Sequence, residues 1–193
     1  NIQVIREQME FAIREGLMSL KKIAMFDMDN TILEKSFIHT AADQFGFREE
    51  LFNIITNNSN SFLCTKLIAR LLKGKNIGDI LAVADTIPVT PHLPELLSEL
   101  KEQGYITGII SDSYDCITNH LKNKLGFDFT ISNGLEFSKS VATGEVKIPS
   151  FFLQDDKSQC RHDYCKLNAL ISICGKYEVD LKNTLVVGDG END

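Results

Sequence analysis

The sequence predicts an α/β fold: a parallel sheet with helices on its faces and a helical insertion after the first strand. Three observations lead there. Apolar runs of strand length at residues 22–27, 105–111 and 183–190 are separated by segments of helical spacing, the alternation that goes with parallel strands and right-handed crossovers. Between the first two runs, residues 37–102 carry a helical pattern in several pieces. Each run also ends in acids or a hydroxyl: Asp27 and Asp29, then Ser111 and Asp112, then Asp189 and Asp193. In a parallel sheet the carboxyl ends of the strands share one edge, and ligands bind there.

Each element has its own signal. Residues 2–20 set Ile5, Met9, Ala12, Ile13, Leu17 and Leu20 at helical spacing with charges between them, an amphipathic helix. It is expected to pack within the molecule, the alternative being a connector from a preceding domain. Residues 22–27 read as a buried strand. The helical stretch that follows is broken at NNSNS (57–61), KGKN (73–76) and PVTPHLP (88–94), where Asn, Gly, Ser and Pro favour turns. Its last helix starts at the prolines, sets Leu93, Leu96, Leu97 and Leu100 on one face and stops at Gly104. After the strand at 105–111 comes a helix over 114–125, ended by Gly126. Residues 128–148 alternate apolar and polar with Gly-containing breaks, a strand followed by a hairpin. A helix over 161–177 and a buried strand over 183–190 complete the pattern.

A net charge of -7 offers no counter-charge to nucleic acid or to an anionic membrane, so neither is expected as a partner. No apolar run approaches the roughly 18 residues of a membrane span. Arg6, Glu7, Glu10, Arg14 and Glu15 run through the N-terminal stretch, unlike a signal peptide. Five cysteines without repeating spacing (Cys64, Cys116, Cys160, Cys165 and Cys174) read as reduced thiols of a cytoplasmic protein. The start at Asn1 and the stop at Asp193, inside a motif, read as part of a longer chain.

Carboxylates gathered at one edge repel one another unless a cation joins them. Several carboxylate oxygens suit Mg²⁺, which keeps waters and takes substrate phosphate as a further ligand. Lys166, opening the helix before the third strand, supplies positive charge, and the Ser111 hydroxyl can donate to a phosphate oxygen. Metal, lysine and hydroxyl together make an electrophilic cradle for a phosphoryl group. One carboxylate is then free to attack phosphorus and form an aspartyl-phosphate. Asp112 alone reads as a turn or cap residue; its place beside Ser111 makes it a candidate at the phosphate site. Cys160, His162 and Cys165 lack a fourth zinc ligand and read as helix packing and surface.

These residues resemble the haloacid dehalogenase-like phosphohydrolases, in the branch that includes phosphoserine phosphatase. The family's hhhhDxDxT stands here as IAMFDMDNT, its serine after a buried strand as GIIS ending at Ser111, and its GDGxxD as GDGEND over 188–193. Its lysine matches Lys166, 23 residues before Asp189. The resemblance spans 23–193. It implies a Rossmann-like three-layer core from 22–33 and 101–193, a small helical cap over 34–100, and an N-terminal appendage or connector over 1–21. It also implies roles. Asp27 would be nucleophile and metal ligand, and Asp29 the general acid/base, its main-chain carbonyl touching Mg²⁺. Thr31 would orient that acid, Ser111 and Lys166 would hold phosphate, Asp189 would ligate Mg²⁺, and Asp193 would support the metal's waters or Lys166. The substrate implied is a small phosphomonoester. Phosphoserine-specific members carry a glutamate where this chain has Ser36, with Glu34 nearby, and two glycines where it has Asp112 and Ser113. Arg70 is an approximate counterpart of their carboxylate-gripping arginine.

Three other functions fit part of the pattern. A phosphotransferase or mutase would use the same acids and pass the phosphoryl group to a second alcohol. A response-regulator receiver would place its acidic pair at the first strand and the phosphorylated Asp at the third; the DxD pair and the insertion contradict that. A non-catalytic phosphate-binding module need not keep acids at every motif position.

Overall fold

The computed structural model describes residues 2–154, 158 and 164–190, without the side chains of 17–19. Asp193, Cys160 and His162, named above, lie outside the described residues. The described helices are α1 (Ile2–Leu20), α2 (Phe37–Phe45), α3 (Arg48–Asn57), α4 (Ser61–Leu71), α5 (Ile77–Asp85), α6 (Leu93–Glu102), α7 (Asp115–Leu125) and α8 (Lys166–Tyr177). The strands are β1 (Lys22–Phe26), β2 (Tyr105–Tyr114), β3 (Phe129–Ser138), β4 (Val141–Lys147) and β5 (Thr184–Val187). They form one sheet in the order β4-β3-β2-β1-β5. Strands β3, β2, β1 and β5 run parallel and β4 is antiparallel to β3.

β1 is apolar and buried from Ile23 to Phe26 because both faces of the sheet are covered. Successive side chains point to opposite faces. Ala24 and Phe26 join Ile109 with Leu97 and Leu100 of α6 and Ile117 and Leu121 of α7. Ile23 and Met25 join Ile110 with Ala169, Leu170 and Ile173 of α8. The result is three layers. The first cluster continues without a break into Phe37, Leu51, Ala69, Leu72, Ile80 and Val83, so helices α2 to α5 share a core with the sheet. Residues 73–77 also pair with the β3–β4 hairpin: the N–H of Gly74 donates to the Ala142 carbonyl, that of Ala142 to Lys75 and that of Ile77 to Ser140, at 2.8–2.9 Å.

Five sequence expectations need correction. The apolar residues of α1 whose side chains are described do not pack within the molecule: Ile2, Phe11 and Ile13 are 86%, 66% and 59% exposed. The buried residues of the sheet pack on α6, α7 and α8 instead. β5 is an edge strand, paired to β1 alone, and Leu185 and Val186 are exposed rather than buried. β2 runs on through Ser111 and Asp112 to Tyr114, with its pairing to β3 shifting between Ile110 and Tyr114. The hairpin turns at Lys139 and Ser140 (φ 48° and 66°), not at a glycine; two successive positive φ values give a turn whose twist matches the strands. Leu96 leaves the apolar face of α6 and is exposed, while Leu93, Leu97 and Leu100 are buried. Gly126, by contrast, ends α7 as expected, in the left-handed conformation (φ 80°) that spares glycine a Cβ clash. No described helix is long and apolar enough to cross a membrane.

Candidate active site

The carboxyl edge of the parallel strands gathers most of the acids named from sequence. Asp27 follows β1 directly, and its N–H donates to the Val187 carbonyl at 2.9 Å, carrying the ladder one residue past the strand. Its carboxylate is buried and lies 2.9 Å from the Nζ of Lys166, which is buried too. Lys166 is the first residue of α8. A cation there meets the positive end of the helix dipole, and the carboxylate of Asp27 offsets that. Burying either charge alone would cost several kcal/mol.

The chain then turns tightly, with the N–H groups of Ile32 and Leu33 both donating to the Met28 carbonyl. This returns Asp29 toward the start of α2. Its Oδ1 accepts the N–H of Phe37 at 2.5 Å, a capping role that the side chain of Ser36, the cap residue, does not perform. Burial is the largest influence on Asp29 and raises its carboxyl from 3.8 to about 7; the charges of Asp112 and Asp27 push the same way, against the Phe37 N–H and Lys166. A carboxyl that titrates near 7 suits a proton donor and acceptor at neutral pH.

Ser111 is fully buried where the β2–β3 pairing shifts. Its Oγ accepts the N–H of Ser113 at 3.1 Å, which leaves the hydroxyl proton to donate. Asp112 beside it is exposed, and its main-chain carbonyl accepts the side-chain amide of Asn133. The Thr31 Oγ1 is buried with no hydrogen-bond partner among the described residues. It makes no bond to Asp29, while the Thr31 carbonyl accepts the Thr90 hydroxyl at 2.6 Å. Asp189 is exposed in the turn after β5, and Asn30 reaches it, Nδ2 to Oδ2, at 3.2 Å.

Asn30 is a residue that sequence reasoning missed. It occupies an unspecified position of DxDxT, and its φ of 55° is one that asparagine tolerates better than most residues. Asn133, Tyr164 and Thr65 were missed as well, and nothing in their spacing marks them. Of the residues weighed for substrate recognition, Glu34 and Arg70 are exposed, Arg70 against Gly144 of β4. The Sγ of Cys165 accepts the N–H of Asn168 and serves α8 as its cap.

Among the described residues no three acidic, histidine or cysteine side chains converge as a cation cage. The candidate donors at this edge are hard oxygens: Asp27, Asp29 two residues on, and Asp189, whose Oδ2 accepts the Asn30 amide. Such a partial set fits an ion that completes its shell with waters and substrate phosphate, as Mg²⁺ does, and does not fit zinc.

An acid-rich edge of a parallel sheet, with a buried lysine facing the first acid, defines a class of phosphoryl-handling α/β proteins. Comparison with known proteins agrees and goes further. Residues 24–193 match the haloacid dehalogenase-like hydrolase family, and the chain belongs to it. It is similar to the phosphoserine phosphatase of Archaeoglobus fulgidus, 29% identical over 177 residues, covering 90% of this chain and 48% of that protein. The phosphoserine phosphatase of Methanocaldococcus jannaschii is 28% identical over 177 residues, covering 90% and 79%. A solved structure, a phospho-aspartyl intermediate analogue of phosphoserine phosphatase, superposes with a TM-score of 0.73 at 28% identity, covering 90% of this chain and 80% of that one. The chain thus spans about half the length of the Archaeoglobus relative.

Proposed function

We propose that this protein is a Mg²⁺-dependent phosphomonoesterase that acts on a small phosphorylated metabolite through an aspartyl-phosphate on Asp27. The observation that carries the reading is the buried Asp27–Lys166 pair at 2.9 Å, on the strand edge that also bears Asp29 and Ser111. An oxygen of Asp27 attacks phosphorus, and the bond to the leaving alcohol breaks as Asp29 gives that oxygen its proton. Lys166 and the Ser111 hydroxyl stabilise charge on the phosphoryl oxygens during transfer. Asp29 then takes a proton from water, which attacks the same phosphorus and returns Asp27 as a carboxylate with release of inorganic phosphate. Mg²⁺, held by Asp27, Asp189, the Asp29 carbonyl and, through its waters, Asp193, would neutralise charge on phosphate and nucleophile when bound.

Residues 34–100 act in this reading as a cap that excludes water and selects the substrate, over a core of 22–33 and 101–193, with 1–21 as appendage or connector. The relatives' names favour a phosphoserine-like ester; Ser36, where the resemblance leads one to expect glutamate, leaves the ester open. A cytoplasmic location, free of nucleic acid and membrane, accompanies the proposal.

The test is phosphate release from a panel of small phosphomonoesters, phosphoserine included, with Mg²⁺ or EDTA. Mg²⁺-dependent release that vanishes in Asp27→Asn supports the mechanism. Release that persists in Asp27→Asn excludes the aspartyl-phosphate, and no release of phosphate by folded, Mg²⁺-binding protein excludes the hydrolase reading.

A further inference from the structure

We propose that Tyr164 is a positioning residue for phosphate binding, its hydroxyl tying helix α4 to the two segments that present Ser111 and Lys166. This rests on the phosphate-holding roles proposed above for those two residues. Tyr164 is buried, its ring packed against Phe62 at 4.8 Å and Phe152 at 5.4 Å between centroids. The hydroxyl lies 3.0 Å from the Oγ1 of Thr65 on α4 and 3.4 Å from the Oδ1 of Asn133 on β3. The direction of the first bond follows from its partner. Thr65 spends its own proton on the Ser61 carbonyl at 3.0 Å, so its oxygen accepts and the tyrosine donates, sharing its single proton with a longer, weaker arm to the Asn133 Oδ1. Burial pushes the phenol up to about 12, so the donor keeps its proton at neutral pH.

From this hydroxyl, two short paths lead to the site. Asn133, fully buried, turns its amide N–H toward the Asp112 carbonyl, in the residue next to Ser111. In the other direction Tyr164 stands two residues before Lys166, and the N–H of Cys165 between them is held by the Phe152 carbonyl at 2.9 Å. A second tyrosine, Tyr114 at the end of β2, reaches the main-chain carbonyl of the same Thr65 at 3.4 Å. Helix α4 is therefore hydrogen-bonded through one residue to both phosphate-holding segments, over 99 residues of sequence in the case of Tyr164. Packing alone would be served by phenylalanine, which fills the same aromatic pocket and brings no buried hydroxyl to satisfy.

The experiment compares Tyr164→Phe, Thr65→Val and the double variant with the parent. It measures melting temperature, binding of inorganic phosphate with Mg²⁺ by calorimetry, and kcat and KM for the best phosphomonoester of the panel. Each single variant is expected to weaken phosphate binding and raise KM about 3- to 10-fold, the weight of one neutral hydrogen bond, with the melting temperature of Tyr164→Phe nearly unchanged. The double variant should lose clearly less than the sum of the singles, because both remove the bond they share, while Thr65→Val alone loses the Ser61 bond and Tyr164→Phe alone the Asn133 contact. A lower melting temperature with unaltered phosphate affinity would make Tyr164 merely structural and overturn the proposal, as would additive losses. Parent protein that binds phosphate without turnover would exclude the phosphatase reading and leave the binding comparison decisive for Tyr164. Parent protein that binds no phosphate would overturn both.

Discussion

Replacing Lys166 by methionine removes an ammonium group and little else, since the apolar stem is kept. The side chains of Lys166 and Asp27 are 3% and 10% exposed and 2.9 Å apart, so water compensates poorly for the loss of either charge. Removing one partner of such a pair costs about 3–5 kcal/mol, a large part of the roughly 5–15 kcal/mol that holds a domain together. Asp27→Asn takes away the carboxylate 2.9 Å from the lysine in the same way. The double variant buries neither charge and is expected to be more stable than the sum of the single losses predicts, by a coupling of about 1–3 kcal/mol. Urea denaturation followed by circular dichroism at pH 7 measures all four proteins, with EDTA present so that no cation replaces the lysine. Single variants within about 1 kcal/mol of the parent, the range of exposed pairs, would refute the reasoning. So would strict additivity, because the two groups would then not be acting on each other.

Asp29→Asn is expected to abolish turnover yet stabilise the metal-free protein at pH 8. The Asp29 carboxyl titrates in the folded protein near 7 against 3.8 ordinarily, so its contribution to stability is full below about pH 4 and is lost as pH rises to about 7. Asparagine stays neutral throughout; the melting-temperature gain over the parent should therefore grow from pH 4 to pH 8, and a gain that shrinks would contradict the assignment. Asn30→Gly keeps the backbone at φ 55° and removes only the amide that reaches Asp189. It should raise the half-saturating Mg²⁺ concentration several-fold with little change in melting temperature, whereas Asn30→Ala should also lose roughly 1 kcal/mol of stability to backbone strain. Deleting residues 1–20 should leave the melting temperature within a few degrees of the parent, because the large apolar side chains described on α1 are exposed and its ion pair from Arg14 to Glu178 is too.

The sheet and its order of elements were legible because burial on both faces writes itself into β1 as an unbroken apolar run, and because Gly126 and the prolines before α6 punctuate helices by local geometry alone. The acids of the candidate site were legible for the opposite reason: Asp27 and Asp29 are polar where the pattern demands apolar residues. Asn30, Asn133, Tyr164 and Thr65 were not, since an asparagine in a loop or a tyrosine in a core is unremarkable until its partner is known. The outward face of α1 and the exposed edge at β5 were misread for a related cause. Periodicity records which residues can be buried; it does not record whether a partner surface exists.

By itself, then, the sequence determined the alternation of strand and helix, the strand ends at which charge accumulates, and the presence of an acid, a hydroxyl and a lysine suited to a phosphoryl group. These follow from local geometry and from the free-energy cost of burying charge, both of which act within a few residues. Only the tertiary structure decided that Lys166 meets Asp27, that Asn30 meets Asp189, that Asp29 both caps α2 and is buried enough to titrate near 7, and that Thr65 of helix α4 is bonded to Tyr164, two residues before Lys166. Those facts depend on packing between segments distant in sequence, whose relative positions no local preference encodes.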